Sequence, residues 1–195
     1  MKQNRLTLNS EKLKSIIHRW WQSMMLSDEQ LQHLNIPKAA SGTRARLQRC
    51  QTLNDILITP DFQSLWNMLP DEYRQQASTQ DMTTCALIAG VCVFIRNESE
   101  QSLATLAGMP DKKSKKPVVS GMRFARLQAA RMPDDLLRYL RRTIKQLEQR
   151  PKVTALVGDI QQWMFEYHNP YPRKADERIR MKWSMDYFRA ASSGK

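Results

Sequence analysis

The residues of this chain that could do chemistry are mostly basic, and they are concentrated in one stretch. Between residues 112 and 152 the sequence holds thirteen lysines and arginines against three acidic residues, which gives this stretch a net charge of +10 out of the +12 of the whole chain. The other 154 residues are nearly neutral. Charge that is concentrated in this way, and not spread over the surface, predicts a polyanionic partner.

Within this stretch, four basic residues recur at the spacing of one helix face. Positions i, i+3, i+4 and i+7 are occupied by Arg138, Arg141, Arg142 and Lys145. Apolar residues fall on the opposite side, namely Leu136, Leu137, Leu140, Ile144 and Leu147. We therefore predict a helix that buries one face and offers a cationic face to a ligand. The cationic face has no acid with which to pair, and this favours a ligand over a solvated surface because like charges at this spacing repel one another.

No catalytic or metal-binding pattern accompanies the basic residues. The three histidines, His18, His33 and His168, are far apart and have no second ligand at i+3 or i+4. The six glycines form none of the GxxxxGK, GxGxxG and GxSxG motifs. We therefore expect no enzyme activity, no cofactor and no metal. A small metal-dependent nuclease, whose carboxylates converge only in space, stays open as an alternative.

Apolar residues repeat at helical spacing along most of the chain, so we predict an all-α fold. No Asn-Gly or Asp-Gly turn and no alternation of polar and apolar residues indicates strands. The predicted helix Asp81–Arg96 is apolar nearly all round, as expected at the centre of a bundle. Two helices, 120–131 and 133–149, are predicted to carry most of the basic residues.

The lysine-rich segment 109–119 is predicted to join two small helical bundles. It combines two prolines with Lys112, Lys113, Lys115 and Lys116. The expected organisation is thus an N-terminal helical bundle over residues 1–108, this short linker, and a C-terminal basic bundle over residues 120–195. A contact between the lysines and phosphate is an open alternative to a mobile loop.

The cysteines and the hydropathy pattern predict a cytoplasmic protein. Cys50, Cys85 and Cys92 form no CxxC pair, which indicates reduced thiols. Residues 1–9 are polar, and the longest apolar stretch, Cys85–Ile95, is far shorter than the ~20 residues that a bilayer requires. We expect neither a secretion signal nor a membrane span.

The five tryptophans could stack on bases or could pack in the core. All of them fall in register with apolar neighbours, which favours the core; they are Trp20, Trp21, Trp66, Trp163 and Trp183. Binding is then expected to be mainly phosphate contact, with little sequence preference.

Several short segments occur in the same order and at the same spacing as in a known family. They are Trp20, residues 43–50 (TRARLQRC) followed by Asp55 and Phe62, residues 118–127 (VVSGMRFARL), Leu140-Arg141-Arg142, Asp159 with Trp163, and Trp183 with Asp186-Tyr187. Together they resemble the CasB-type small subunit (Cse2 family) of the type I-E CRISPR Cascade complex. The Ser-Gly-x-Arg-Phe-x-Arg-Leu run is the most specific of these segments.

The resemblance implies a non-catalytic subunit that acts inside a CRISPR RNA ribonucleoprotein with other Cascade subunits and a second copy of itself. It implies that basic residues hold the target and the displaced DNA strands while the R-loop forms. Carried over residue by residue, this role falls on Arg49, Arg123, Arg126, Arg131, Arg141 and Arg142. The helix-face argument adds Arg138 and Lys145.

Two other binding functions make different demands on the same residues. A stand-alone helix-turn-helix regulator would use the predicted helices 120–131 and 133–149 to read a major groove. A membrane-surface protein would need tryptophan or phenylalanine beside the basic face, and Tyr139 is the only aromatic residue on that helix.

Overall fold

A computed structural model describes residues 11–148, 150–169 and 174–193 of this chain. These residues form twelve helices and no strand, so the all-α prediction is confirmed. The chain divides into two compact units between Val93 and Phe94. In the described part of the chain, every helix is too short or too polar to cross a membrane.

The first unit contains seven helices, one of which is apolar nearly all round. In chain order they are α1 (Glu11–Met25), α2 (Asp28–His33), α3 (Thr43–Arg49), α4 (Leu53–Leu57), α5 (Pro60–Asn67), α6 (Asp71–Gln76) and α7 (Thr79–Cys92). Every residue of α7 from Thr84 to Cys92 is buried, as its apolar sequence predicts. The helix begins two residues earlier and ends four residues earlier than predicted, because Ser78 caps its N-terminus and Val93 forms its C-cap.

Two polar networks fix α3 within the first unit. Arg44 Nε and Gln48 Nε2 both donate hydrogen bonds to the carbonyl oxygen of Val93, at 2.9 and 2.8 Å. They thereby satisfy a carbonyl at the end of α7 that has no partner inside that helix. Arg46 forms a bidentate ion pair with Asp61, with both N···O distances at 2.7 Å, and Thr43 donates a third hydrogen bond to the same carboxylate.

The second unit contains five helices, among which the pair α8 and α12 packs most closely. They are α8 (Leu103–Gly108), α9 (Gly121–Gln128), α10 (Pro133–Gln146), α11 (Val153–His168) and α12 (Ile179–Ser192). At Gly108 a Cβ atom would lie only 2.1 Å from the carbonyl oxygen of Tyr187, so glycine permits the close approach of the two helices. Tyr187 also stacks on Phe124 of α9, with ring centroids 4.2 Å apart.

This packing places the division of the chain earlier than the sequence predicted. We expected a linker over residues 109–119, whereas α8 already belongs to the second unit. Residues 109–119 form a closed turn within that unit. The N–H groups of Val118 and Val119 donate to the carbonyls of Met109 and Ala107, and the Asp111 carboxylate accepts from the N–H of Ser114 at 2.7 Å. The segment therefore folds back on α8 and does not connect the two units.

The last helix also differs from its prediction. The spacing of Ile179, Trp183 and Tyr187 predicts a helix over 173–188, and the structure gives α12 from Ile179 to Ser192. The two prolines of residues 169–172 predict a loop, and this loop and the predicted helix start at Arg173 fall mostly outside the described residues.

Candidate nucleic-acid interface

Helix α10 has the two faces that its sequence predicts. Pro133 stands in its first turn with Asp134 and Asp135, where proline and negative charge favour the N-terminus of a helix. The apolar side is almost completely buried, through Leu136, Leu137, Leu140 and Ile144. The opposite side is exposed at Arg138, Arg142 and Lys145. Burial of the leucines fixes the direction in which these three cations point.

Arg141 departs from the predicted cationic face. The residue is only 8% exposed, and its guanidinium carbon lies 5.0 Å from the centroid of the Phe94 ring. Arg141 follows Leu137 by four residues and precedes Ile144 by three, so it stands one turn from each of two buried side chains. The prediction that Arg141 is exposed on the cationic face is therefore wrong, because its stem lies at the edge of the apolar face.

The predicted face also has one acidic partner that sequence reasoning missed. Arg138 forms an ion pair with Asp135, at an N···O distance of 2.6 Å across one helical turn. The prediction that no acid is available is therefore wrong at this end of α10. Arg138 remains exposed, but much of its charge is balanced by its neighbour.

Lys145 shares the Phe94 ring with Arg141 and yet stays exposed. Its Nζ lies 4.9 Å from the ring centroid. A cation at this distance is attracted to the negative face of the ring. Phe94 therefore restrains Lys145, while the lysine keeps its charge at the surface.

Helix α9 adds two arginines beside α10. Phe124 and Leu127 are buried on its inner side, whereas Arg123 and Arg126 are exposed. Arg123 Nη1 donates to Gln146 Oε1 at 2.9 Å, and Gln146 Nε2 donates to the carbonyl of Arg142 at 3.1 Å. Gln146 thus joins the guanidinium of Arg123 to the turn of α10 that carries Arg142, a role for which its sequence position gave no signal.

We call the surface formed by Arg123, Arg126, Arg142 and Lys145 the basic face. The guanidinium groups of Arg126 and Arg142 make no hydrogen bond or ion pair with any residue that the structure describes. Arg123 has a neutral amide as its partner, and Lys145 has an aromatic ring. Among the described residues, no acid therefore compensates any of these four positive charges, which stand on two helices that pack against each other.

A family model with the description CRISPR-associated protein Cse2 matches residues 43–188, which is more than half of the chain. The chain belongs to the Cse2 family. The match spans the basic face and confirms the resemblance inferred from sequence. No curated protein and no solved structure matches the chain.

Membership of the Cse2 family makes this chain a subunit of a CRISPR Cascade complex, where it has other components of that complex as partners. The Cse2 family is a non-catalytic Cascade subunit. Within the described ranges, no three His, Cys, Asp or Glu side chains come together in a way that could hold a metal ion. The most buried carboxylate of the second unit, Asp159, accepts hydrogen bonds from Lys182 Nζ and Trp183 Nε1.

Two further residues that were predicted to bind nucleic acid lie outside the basic face of this Cse2-family chain. Arg49 is exposed at the last position of α3, in the first unit. Arg131 is exposed just after α9 and lines a cleft of about 300 Å³. The other residues of the cleft are Ala130, Trp163, Glu166, Tyr167, Arg178 and Arg180. Sequence reasoning had linked neither Arg178 nor Arg180 to Arg131, because about fifty residues separate them along the chain.

Proposed function

We propose that this chain is the small subunit of a type I-E Cascade complex and stabilises the R-loop by holding DNA strands through their phosphates. In this role it acts in the cytoplasm, in antiviral defence, beside a second copy of itself and the CRISPR RNA. The proposal rests on family membership together with the basic face. The observation that carries it is the pair of exposed guanidinium groups of Arg126 and Arg142, which have no counter-charge among the described residues.

Phosphate contact accounts for the chemistry of the basic face. Arginine donates hydrogen bonds to phosphate oxygens while its charge replaces condensed counterions. The four cations stand on helices, whose positions are fixed by buried leucine and phenylalanine side chains. They therefore suit a sugar-phosphate backbone of any sequence.

Modest contacts are sufficient for this role. The heteroduplex formed in an R-loop is about as stable as the DNA duplex that it replaces, so contacts to the strand backbones decide the balance. The basic face offers these contacts without reading bases. Arg138 contributes less, because Asp135 neutralises part of its charge. Arg49 is proposed as a separate backbone contact of the first unit.

Salt dependence tests this proposal. Each phosphate that a protein neutralises on a single strand lowers the slope of log affinity against log salt by about 0.7. Four contacts by the basic face therefore predict a slope of about −3 for the full chain binding an oligothymidine strand. A slope near zero would contradict phosphate contact by this chain. Tight sequence-specific binding to duplex DNA by the isolated chain would instead support the helix-turn-helix alternative.

A further inference from the structure

The cleft that contains Arg131 combines positive charge with an exposed aromatic ring. Residues just after α9, in the last turns of α11 and at the start of α12 form its walls. Its volume of about 300 Å³ lies at the small end of the range for ligand sites in proteins. The cleft lies wholly within the second unit.

The charge of the cleft favours an anion. Three arginines line it, Arg131, Arg178 and Arg180, against a single carboxylate. That carboxylate, Glu166, is already engaged, because its Oε1 accepts hydrogen bonds from Gln162 Nε2 at 2.9 Å and from the N–H of Ile179 at 2.7 Å. The cleft therefore has a net positive charge, and its one acid fastens α12 to α11.

The arginines differ in how much of their hydrogen-bonding capacity is used. Arg180 Nη2 donates to the carbonyl of Ala130 at 2.9 Å, so this side chain is held across the cleft. The guanidinium groups of Arg131 and Arg178 make no hydrogen bond or ion pair with the residues in the described ranges. Two guanidinium groups that line one small cleft, with no partner among the described residues, suit a phosphate group, which accepts several hydrogen bonds.

The aromatic wall of the cleft is rigid and partly exposed. Trp163 is buried at 4% exposure, and its ring stacks on Tyr167 with centroids 5.4 Å apart and ring planes inclined by 9°. The hydroxyl of Tyr167 donates to the sulfur of Met132 at 3.6 Å. Tyr167 is nevertheless 36% exposed. A ring that is fixed by a tryptophan and a methionine and still reaches solvent can stack on a planar ligand at little cost in side-chain entropy.

We propose that this cleft binds one unpaired nucleotide of a DNA single strand, with the base against Tyr167 and the phosphate between Arg131 and Arg178. The proposal rests on the proposed function, in that the chain must bind DNA, and it adds a second type of contact. A base inside a duplex is stacked on both faces and cannot reach the tyrosine, whereas a base of a displaced strand can. The cleft would thus make this subunit prefer single-stranded over duplex DNA.

A comparison of two oligonucleotides tests the stacking contact. The full chain is titrated with a 12-nucleotide oligothymidine and with an abasic strand of the same length and charge. Stacking of one base on an aromatic side chain contributes about 1 to 3 kcal/mol, so we expect roughly ten-fold tighter binding of the oligothymidine. Tyr167→Ala should remove this preference without weakening the binding of the abasic strand. Tyr167→Phe, which keeps the ring, should retain it.

A charge substitution and a matched control substitution complete the experiment. Arg131→Gln should weaken the binding of both strands and reduce the magnitude of the salt slope by about 0.7. Phe165→Ala removes another exposed aromatic side chain of α11, outside the cleft, and should leave the preference for the oligothymidine intact. Inorganic phosphate and thymidine monophosphate are then compared as competitors of the oligothymidine. Equal competition by the two would show an anion site without stacking and would overturn the proposal.

The two proposals fail in different ways. Equal affinity of the unaltered chain for the two strands, with a slope near −3, would overturn the nucleotide site and leave the basic face standing. A preference for the oligothymidine that survives Tyr167→Ala would also overturn the site, because another ring would be responsible. Failure to bind either strand would contradict DNA binding by this chain and the nucleotide site with it.

Discussion

The guanidinium of Arg141 lies 5.0 Å from the centre of the Phe94 ring and is held in the packed part of the second unit. Its neighbour in sequence, Arg142, points away from the core and is exposed. Two adjacent arginines therefore have different roles, since one packs and the other is available to a ligand. This distinction leads to opposite expectations for their replacement.

Arg141→Ala should destabilise the second unit while leaving its affinity for DNA unchanged. The substitution removes a cation from an aromatic face together with the packing of the arginine stem, for which we expect a loss of about 2 kcal/mol in the free energy of unfolding. Urea denaturation and titration with a single strand measure the two quantities. Arg142→Ala is the matched control, for which we expect unchanged stability and weaker binding. Weaker binding with unchanged stability for Arg141→Ala, and lower stability with unchanged binding for Arg142→Ala, would contradict these roles.

Gln146→Glu should weaken DNA binding more than Gln146→Ala. The new carboxylate would stand 2.9 Å or so from the guanidinium of Arg123 and would pair with it, whereas alanine only releases that arginine. Affinity for a single strand at fixed salt is the measurement. Gln75→Glu, at an exposed position of α6, adds the same charge and should have a smaller effect. Equal effects at the two positions would show that only the net charge of the chain matters.

Asp61→Asn should destabilise the first unit, and this effect should disappear in acid. The carboxylate is only 4% exposed, and hydrogen bonds from Arg46 lower the pKa of Asp61 below its usual value. A depressed pKa in the folded state contributes stability above the unfolded pKa, about 3.9, and this contribution is lost as the pH falls through the folded value. The difference in the free energy of unfolding between Asp61→Asn and the unaltered chain should therefore have its full value near pH 7 and shrink below about pH 4.

The size of this effect can be compared with that of an exposed ion pair. Asp61→Ala leaves three hydrogen-bonding groups without their acceptor, and we expect a loss of about 2 kcal/mol in the free energy of unfolding. Asp28→Ala removes the partner of Lys38 at the surface, where a single ion pair contributes less than about 1 kcal/mol. Similar losses at the two sites, measured by urea denaturation, would contradict a structural role for the buried carboxylate.

Gly108→Ala should disrupt the packing of α8 on α12. The added Cβ would meet the carbonyl oxygen of Tyr187 at 2.1 Å, and this backbone atom cannot move without a shift of the helix. Overpacking of this kind costs about 3 kcal/mol. Gly121→Ala is the control, because the nearest atom to its Cβ would be the Tyr187 hydroxyl at 4.0 Å. Thermal denaturation that finds both variants as stable as the unaltered chain would contradict the close approach.

The fold was predictable from sequence wherever one helix carried its own signal. The spacing of leucines in α10 and the apolar sequence of α7 each depend on neighbours three or four residues away, and such patterns are visible along the chain. The placement of α8 depends instead on its contact with α12, which lies more than seventy residues later. A local pattern cannot reveal such a contact, and the lysine-rich segment 109–119 therefore resembled a linker.

The candidate site was predictable to a similar extent. Periodicity located the cationic side of α10, but it could not separate Arg141 from Arg142, because a residue at the edge of a helix face is buried or exposed according to its neighbours in space. Phe94 was decisive here, and nothing in its sequence position indicated this. Gln146 and the cleft around Arg131 likewise arise from residues that only the tertiary structure brings together.

R-loop formation by the assembled Cascade complex tests the central claim most directly. A complex that carries Arg126→Glu with Arg142→Glu is compared, in a mobility-shift assay with complementary target DNA, with one that carries Lys12→Glu with Arg189→Glu, an equal change of charge at exposed positions outside the basic face. We expect the first complex to assemble but to lock the R-loop at least ten-fold less tightly, and the second to behave like the unaltered complex. Normal locking by the complex with Arg126→Glu and Arg142→Glu would contradict the assignment of DNA binding to the basic face.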